Sequence, residues 1–315
     1  MHHWVTERTI LLVRHGSHAY GTNIATSDED FKGVCIEPKQ YFFGFAHQFE
    51  QQEEMVHKGH PHDKVIYSLR KFMSLAVNCN PNIIEVLNVS DSDVLKTQLS
   101  GYGYDSLLRS IAPDLLSKKA YKSFSGYAMQ QLHRIKTHKK WLLNPILREP
   151  NRTEFGLPSN DKLSDSEFGA LHNLGEDHLS TSMIDLYRRE KAYRNAVQEF
   201  ENFKAWQKSR NPARAELEAK FGYDTKHAMH LIRLLKMALE ILRDHKVVVK
   251  RPDAEELLAI RYGYYSYDEL IELSEKLMLE AKDAVQKSTL SDSPDLIKLD
   301  SFIVQFTTDF LRKHH

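Results

Sequence analysis

The chain has 315 residues, of which 41% are hydrophobic and 10% aromatic, so it can bury one large core or two modest ones. Its formal net charge is zero, which argues against a protein whose whole surface is basic for binding nucleic acid. No apolar run approaches the ~20 residues needed to cross a bilayer, and the N-terminal MHHWVTERT lacks the apolar stretch of a secretory signal. The two cysteines, Cys35 and Cys79, are too few for a disulfide framework and suit a cytoplasmic protein.

The first half of the chain is expected to form a small mixed β-sheet with helices. Apolar and β-branched runs predict strands at 9–15, 30–36, 63–67 and, less regularly, at YFFGF 41–45. A short helical turn is expected at 18–20. Ser68 is a predicted N-cap, and the helical segments are expected at 69–78, 83–87, 104–117 and 121–143.

The second half is dominated by helical periodicity. Residues 151–180 are rich in Pro, Gly, Asn, Asp and Ser, which predicts a linker. Helices are then expected at 181–209, 212–245, 254–261, 267–288 and 295–313. The sequence therefore predicts an α+β fold, with a mixed domain over 1–150, the linker over 151–180 and an all-α domain over 181–315.

Residues 16–34, GSHAYGTNIATSDEDFKGV, carry the clearest chemical signal. In an extended segment Asp28 and Asp30 point to the same face, and two neighbouring anions repel each other. Hard divalent cations such as Mg2+ take one or two carboxylates together with substrate phosphates. Gly16 has no side chain, so a phosphate can approach the backbone there, and Ser17 adds a hydroxyl. The segment predicts metal-assisted phosphoryl chemistry.

The spacing of Gly16-Ser17, Gly21-Thr22, Ser27-Asp28-x-Asp30 and Gly33-Val34 resembles the GS…SDxD signature of DNA polymerase β-like nucleotidyltransferases. It is most similar to a branch of bacterial and phage proteins with GSxAxGTxxxxSDxDxxGV. The resemblance continues through 68–87, 226–242 and 257–270, and it departs at His18, where many members carry Arg. It implies a palm-like sheet core, which would be the catalytic domain over 1–150. It also implies Mg2+- or Mn2+-dependent transfer of NMP from an NTP to an acceptor hydroxyl, with release of pyrophosphate.

The resemblance also implies roles for individual residues. Asp28 and Asp30 would bind metal with a third carboxylate, for which Asp63 is preferred and Glu85 is the competitor. Gly16 and Ser17 would hold the β- and γ-phosphates. The remaining nucleotide-binding candidates have alternative structural roles: Thr22 and Ser27 in hydrogen bonds within the loop, and Lys226, His230 and Arg233 on a solvated helix face.

The acceptor is less defined. Between 118 and 152 nine Lys and Arg residues are opposed only by Glu149, which is typical of a surface that binds RNA, such as a tRNA 3′ end, but also of a solvated helix face. Nucleotidylation of a protein or small molecule, or a non-catalytic nucleotide- or RNA-binding regulator, are the alternatives. His57, His60 and His62 are close enough to suggest zinc, but their spacing favours a loop beside Asp63.

Overall fold

The computed structural model describes residues 2–56, 62–160, 162–174, 180–210 and 212–314. The strands are β1 Thr9–His15, β2 Glu29–Cys35, β3 Gln51–Val56 and β4 His62–Ser68. The helices of the first half are α1 Trp4–Glu7, α2 Gly16–Tyr20, α3 Lys39–Phe43, α4 Leu69–Ala76, α5 Pro81–Asn88, α6 Tyr104–Arg109 and α7 Lys119–Leu143. Those of the second half are α8 Asp165–Leu174, α9 Thr181–Ser209, α10 Pro212–Phe221, α11 Thr225–Asp244, α12 Ala254–Arg261, α13 Tyr267–Lys287 and α14 Leu296–Lys313.

The four strands form one mixed sheet in the order β1-β2-β4-β3. β2 pairs antiparallel with β1 and parallel with β4, and β3 pairs antiparallel with β4 at the edge. Apolar side chains of β1 and β2, such as Leu11, Val13 and Val34, are fully buried. The expected α+β fold, a small mixed sheet followed by a mostly helical region, is confirmed.

Local sequence signals explain several element boundaries. The Ser68 side chain accepts a hydrogen bond from the Lys71 N–H and caps α4, as predicted. Pro81 opens α5, where its missing N–H costs no helical bond. The continuous helix expected over 212–245 is instead two helices, because Gly222 adopts a φ of +77° after α10.

One strand expected from the sequence was wrong, and one strand was missed. YFFGF at 41–45 was expected to be a strand, but α3 ends at Phe43, and the side chains of Phe43 and Phe45 are exposed. The missed strand is β3, whose sequence QQEEMV contains few strand-forming residues. Its backbone pairing with β4 decides its conformation, and its charged residues are typical of an edge strand.

The chain divides into two compact units, residues 1–135 with 225–315 and residues 136–224. This division differs from the predicted boundaries at 150 and 180, because helices α11 to α14 belong to the same unit as the sheet. The backbone N–H of Arg251 donates to the Tyr20 carbonyl at 3.0 Å, and Arg233 forms an ion pair with Glu85 of α5. These contacts join the C-terminal helices to the first half of the chain.

The second unit contains part of the segment that the sequence predicts to be a linker. A 3-10 turn covers Arg152–Phe155 and α8 covers Asp165–Leu174. Arg152 is buried and donates to both carboxylate oxygens of Glu190, at 3.1 and 2.8 Å. The described part of this segment is therefore held by specific contacts rather than forming an irregular connection.

Cys35 and Cys79 are buried and free. Among the helices of the described residues, none has the length and apolarity that a membrane span needs.

Candidate active site

The turn after β1 lies directly against Asp30. Gly16 has a φ of +65°, and a Cβ built on it would lie 1.9 Å from Oδ2 of Asp30. Only glycine can provide this approach and this backbone conformation without strain. His15 and Asp30 are cross-strand partners, so the register of β1 and β2 brings the Gly16–Ser17 turn beside the Asp30 carboxylate.

Asp63 lies on the other side of Asp30. The two residues are partners in the parallel ladder between β2 and β4, where partner side chains emerge on the same face of the sheet. Asp28 precedes β2 by one residue. Partial burial raises the pKa of Asp30, and the negative charges of Asp63 and Asp28 raise it further. Three carboxylates therefore converge at one end of the sheet.

Two lysines lie near these carboxylates. Lys32 follows Asp30 by two residues on β2, and Lys226 is in the first turn of α11. Their charges oppose the rise in the pKa of Asp30. Burial lowers the pKa of Lys32 to about 8, although Glu85 and Asp30 act in the other direction. The site thus combines three acids with two basic groups at close range.

The loop between β1 and β2 is held by its own hydrogen bonds. The Thr22 N–H donates to the Ser17 carbonyl at 2.9 Å, and the Thr22 side chain is fully buried. The Ser27 hydroxyl accepts from the Ile24 N–H at 2.9 Å, while the Ser27 N–H donates back to the Ile24 carbonyl. These contacts agree with loop-internal roles for Thr22 and Ser27. Ser17 is half-buried, and His18 is half-buried with its Nε2 buried rather than exposed.

Glu85 is not solvated and does not join the strand-end carboxylates. It lies on α5 with no exposed surface and accepts a hydrogen bond from the Tyr20 hydroxyl at 2.6 Å. Nε2 of His15 lies 3.1 Å from the same oxygen, and Arg233 pairs with the other oxygen. Burial acts to raise the pKa of Glu85, but the Arg233 charge outweighs it and holds the pKa well below its usual range.

Two members of the polar stripe of α11, Arg233 and Lys236, have partners inside the protein. Arg233 is buried and stacks over the Tyr20 ring, with its guanidinium carbon 3.8 Å from the ring centroid. Lys236 pairs with Asp253 and Glu256. The expected contact of Arg233 with a triphosphate is therefore corrected, because its charge is used inside the protein. His230 is half-buried, and burial with the nearby Arg233 charge lowers its pKa well below the usual value.

The basic segment 118–152 is partly neutralised. Ion pairs with acidic residues outside the segment are formed by Lys118, Lys140, Arg148 and Arg152. Lys122 and Arg134 are exposed on α7. The expected basic surface is thus smaller than the sequence count indicates. His57 and His60 lie outside the described residues, and His62 begins β4.

Sequence reasoning missed three residues that the structure brings to the site: His15, Tyr20 and Lys32. Two of them leave a signal in the sequence. His15 is a polar residue at the end of an otherwise apolar strand, and Lys32 alternates with Asp30, which places both on one face of β2. Tyr20 leaves no such signal, because its partner Glu85 is 65 residues away.

The residues present fit a divalent metal. Oxygen ligands are those that Mg2+ and Mn2+ prefer, and the carboxylates of Asp28, Asp30 and Asp63 form no hydrogen bond or ion pair with any described residue. The approach of the Gly16 backbone to Asp30 leaves a surface that a side chain would otherwise fill. Burial, together with the charges of Asp63 and Asp28, raises the pKa of Asp30, and a bound cation would offset both effects.

Comparison with known proteins gives a family match and two similar proteins. Residues 2–147 match the family model RlaP, described as the RNA repair pathway DNA polymerase beta family. An uncharacterized 38.9 kDa protein from the nrdC–mobD intergenic region of Enterobacteria phage T4 is 22% identical over 328 aligned positions, covering 94% of this chain and 96% of the phage protein. A nucleotidyltransferase-like protein from Exiguobacterium sibiricum is 10% identical, covering 89% of this chain and 69% of that one, with a TM-score of only 0.26. The family match over 2–147, which is just under half of the chain, and the strand-end carboxylates agree with a region similar to the DNA polymerase beta family.

Proposed function

We propose that this protein is a Mg2+- or Mn2+-dependent enzyme that transfers NMP from an NTP to an acceptor hydroxyl and releases pyrophosphate. The observation that carries the proposal is the position of Asp30. Its carboxylate lies against the Gly16 backbone on one side and is in register with Asp63 on the other. A phosphate-binding turn and a metal-binding carboxylate set are thus adjacent.

The Gly16–Ser17 turn binds the β- and γ-phosphates in this proposal. Its backbone can approach an anion closely, and the Ser17 hydroxyl supplies a further donor. Lys226, whose charge already acts on Asp30, is placed to neutralise the phosphates or the leaving pyrophosphate. Of the three nucleotide-binding candidates on α11, Lys226 is the one that the site favours.

Asp28, Asp30 and Asp63 would hold the divalent metal. When bound, the metal supplies charge neutralisation for the triphosphate and makes the acceptor hydroxyl easier to deprotonate. Asp63 accepts the proton of that hydroxyl, whose oxygen forms a bond to the α-phosphorus as the bond to pyrophosphate breaks. Positioning and charge stabilisation account for most of the catalysis in such a transfer.

RNA is the proposed acceptor class, and a tRNA 3′ end remains one example. The description of the matching family, an RNA repair pathway family, supports RNA. The exposed cations Lys122 and Arg134 on α7 are available to contact its phosphates. Two buried free cysteines agree with a reducing compartment, so we also propose that the protein acts in the cytoplasm.

A labelling experiment tests the activity and the acceptor together. The protein is incubated with each α-32P-labelled NTP, with Mg2+ or Mn2+, and with total cellular RNA and protein. We expect label in the RNA fraction, released pyrophosphate, and dependence on the divalent ion. Asp30→Asn should abolish the transfer, and the exposed Asp244→Asn serves as the matched control.

Each other outcome has a defined meaning. Label in protein or in a small molecule keeps the chemistry and replaces RNA as the acceptor. Transfer by Asp30→Asn at the wild-type rate refutes the assigned site. Nucleotide binding without any transfer or pyrophosphate release by wild-type protein favours the non-catalytic regulator.

A further inference from the structure

We propose that Glu85 is a positioning residue that holds the Gly16–Ser17 turn in its phosphate-binding geometry and is not a metal ligand. The inference rests on the proposed function of that turn. It concerns a buried cluster that we call the Glu85 cluster, formed by Glu85, His15, Tyr20 and Arg233.

The Glu85 carboxylate contacts both ends of the turn. His15 is the last residue of β1, immediately before Gly16, and Tyr20 is the last residue of α2. Their side chains approach the same oxygen, Oε2, at 3.1 Å for Nε2 of His15 and 2.6 Å for the Tyr20 hydroxyl. Because these two residues bracket 16–19, one carboxylate restrains where the phosphate-binding segment begins and where it ends.

Arg233 holds the carboxylate from the opposite direction. It pairs with Oε1 of Glu85, and its guanidinium stacks on the ring of the same Tyr20 that donates to Oε2. The side chains of all four residues are almost fully buried, which strengthens the electrostatic contacts among them. Arg233 also lies two helical turns after Lys226 on α11, which places both on one face of that helix.

The strand-end carboxylates and the Gly16–Ser17 turn are held in place by different contacts. Asp30 and Asp63 are positioned by backbone pairing within the sheet, which does not depend on Glu85. The Gly16–Ser17 turn depends on the Glu85 cluster. Loosening the cluster should therefore weaken nucleotide binding while leaving metal binding at the strand ends intact, a split that a general loss of stability does not produce.

Tyr20→Phe is the sharpest variant, because it removes the hydroxyl and keeps the ring beneath Arg233. Tyr104→Phe is the matched control, since Tyr104 is also buried and its hydroxyl lies 3.0 Å from Nε2 of His314. Two affinities are measured without any acceptor: that of Mn2+ alone, by electron paramagnetic resonance, and that of a fluorescent NTP analogue with saturating Mn2+. Glu85→Gln is the second variant, and melting temperatures identify variants that fail to fold.

We expect Tyr20→Phe to weaken binding of the NTP analogue by about tenfold, the effect of losing a hydrogen bond to a charged group. The affinity for Mn2+ should stay within about twofold of wild type, and Tyr104→Phe should match wild type in both measurements. Ser17→Ala should cost less in the Tyr20→Phe background than in wild type, because residues that act as a unit give non-additive effects.

Two results would overturn the inference. In the first, Tyr20→Phe binds the NTP analogue as tightly as Tyr104→Phe does. In the second, Tyr20→Phe and Glu85→Gln lower the affinities for Mn2+ and for the nucleotide equally. Failure of the proposed function looks different. In that case wild-type protein does not bind Mn2+, or Asp30→Asn binds Mn2+ as wild type does, whatever Tyr20→Phe shows.

Discussion

Two sets of carboxylates border the Gly16–Ser17 turn, and the protein treats them in opposite ways. The carboxylates of Asp28, Asp30 and Asp63 at the strand ends form no hydrogen bond or ion pair with any described residue, and the pKa of Asp30 is raised by burial and by its acidic neighbours. Glu85 has three partners, and the Arg233 charge keeps its pKa low despite full burial.

The difference separates acids that serve the protein's own structure from acids left for a ligand. A buried carboxylate is tolerated when cations and donors satisfy it, and removing a partner then leaves an uncompensated charge. Carboxylates that repel one another without a partner cost stability, which fits the proposal that an external cation binds between them. The two sets should therefore respond oppositely when one member is neutralised.

The largest effect is expected for Asp30→Asn. Transfer of labelled nucleotide should fall on the order of a thousandfold or more, equivalent to about 4 kcal/mol of transition-state stabilisation. Since the pKa of Asp30 is raised in the folded protein, its charge opposes folding at neutral pH, and the melting temperature should stay the same or rise. A variant that loses activity through a lower melting temperature contradicts this assignment.

The converse is expected for Glu85→Ala. Removing the carboxylate leaves the buried Arg233 without its counter-charge, which typically costs about 3–5 kcal/mol of unfolding free energy. Urea denaturation followed by circular dichroism measures the loss, with Asp28→Ala as the control that should change stability by less than about 0.5 kcal/mol. Equal effects of the two substitutions would remove the distinction between the two sets.

Gly16→Ala tests the approach of the turn to Asp30. Gly103 has a similar φ of +70°, but a Cβ on it would meet nothing within 4 Å, so Gly103→Ala carries the same backbone penalty without the collision. Both substitutions should cost stability, of the order of 1–2 kcal/mol for the left-handed conformation. Only Gly16→Ala should also reduce transfer, by roughly a hundredfold. Comparable transfer activity in the two variants argues against phosphate binding at Gly16.

Acid should destabilise the Glu85 cluster in a defined range. Burial lowers the pKa of His15 to about 4, with Lys32 acting in the same direction, whereas the unfolded chain binds this proton near pH 6.5. Stability from neutral His15 is therefore complete above pH 6.5 and is lost as the pH falls towards 4. The lowered pKa values of His230 and Glu85 also reduce stability as the pH falls. For Glu85 this loss begins only below the ordinary pKa of a glutamate.

Between pH 7 and pH 5 the His15 contribution should reduce the unfolding free energy by roughly 2 kcal/mol. Urea denaturation at the two pH values measures it. His15→Asn should flatten the dependence, and substitution of the exposed His3 by Asn should leave it unchanged. A His15→Asn profile as steep as that of wild type would show that another group carries the acid sensitivity.

The smallest effects are expected for the cations of α7. Its exposed cations are available for a ligand, whereas its paired cations already have a partner within the protein. Lys122→Gln and Arg134→Gln should each lower the log–log salt slope of RNA binding by about 0.7–0.9. Lys282 on α13 is exposed and lies outside the basic segment, so Lys282→Gln is the charge-matched control. Filter binding across a salt series measures the slopes, and equal slopes for all variants would place the RNA surface elsewhere.

Much of the site was predictable from the sequence because it is local. Gly16, Ser17, Asp28 and Asp30 fall within one short segment, and strand alternation alone predicts that the two aspartates share a face. Strand β1, helix α9 and helix α12 were predicted with the observed bounds, since their periodicity is strong. The weakly patterned segments, β3 and α3, were not.

Non-local contacts decided the rest. Sequence favoured Asp63 over Glu85 but left Glu85 open, because the parallel register of β2 with β4 and a partner of Glu85 that lies 148 residues away are not visible in it. The role of Arg233 changed for the same reason, as its position on α11 is compatible with a solvated face, a ligand contact or a buried ion pair. Only packing distinguishes them.

The amino-acid sequence by itself determined the local features of the candidate site: a glycine–serine turn followed at fixed spacing by two acids, whose identities and strand periodicity require only local geometry. The tertiary structure alone decided that Asp63 lies in register with Asp30, that Glu85 contacts His15, Tyr20 and Arg233, and that the C-terminal helices belong to the sheet's own unit. Burial and charge pairing are properties of neighbours in space, and here those neighbours are far apart in the chain.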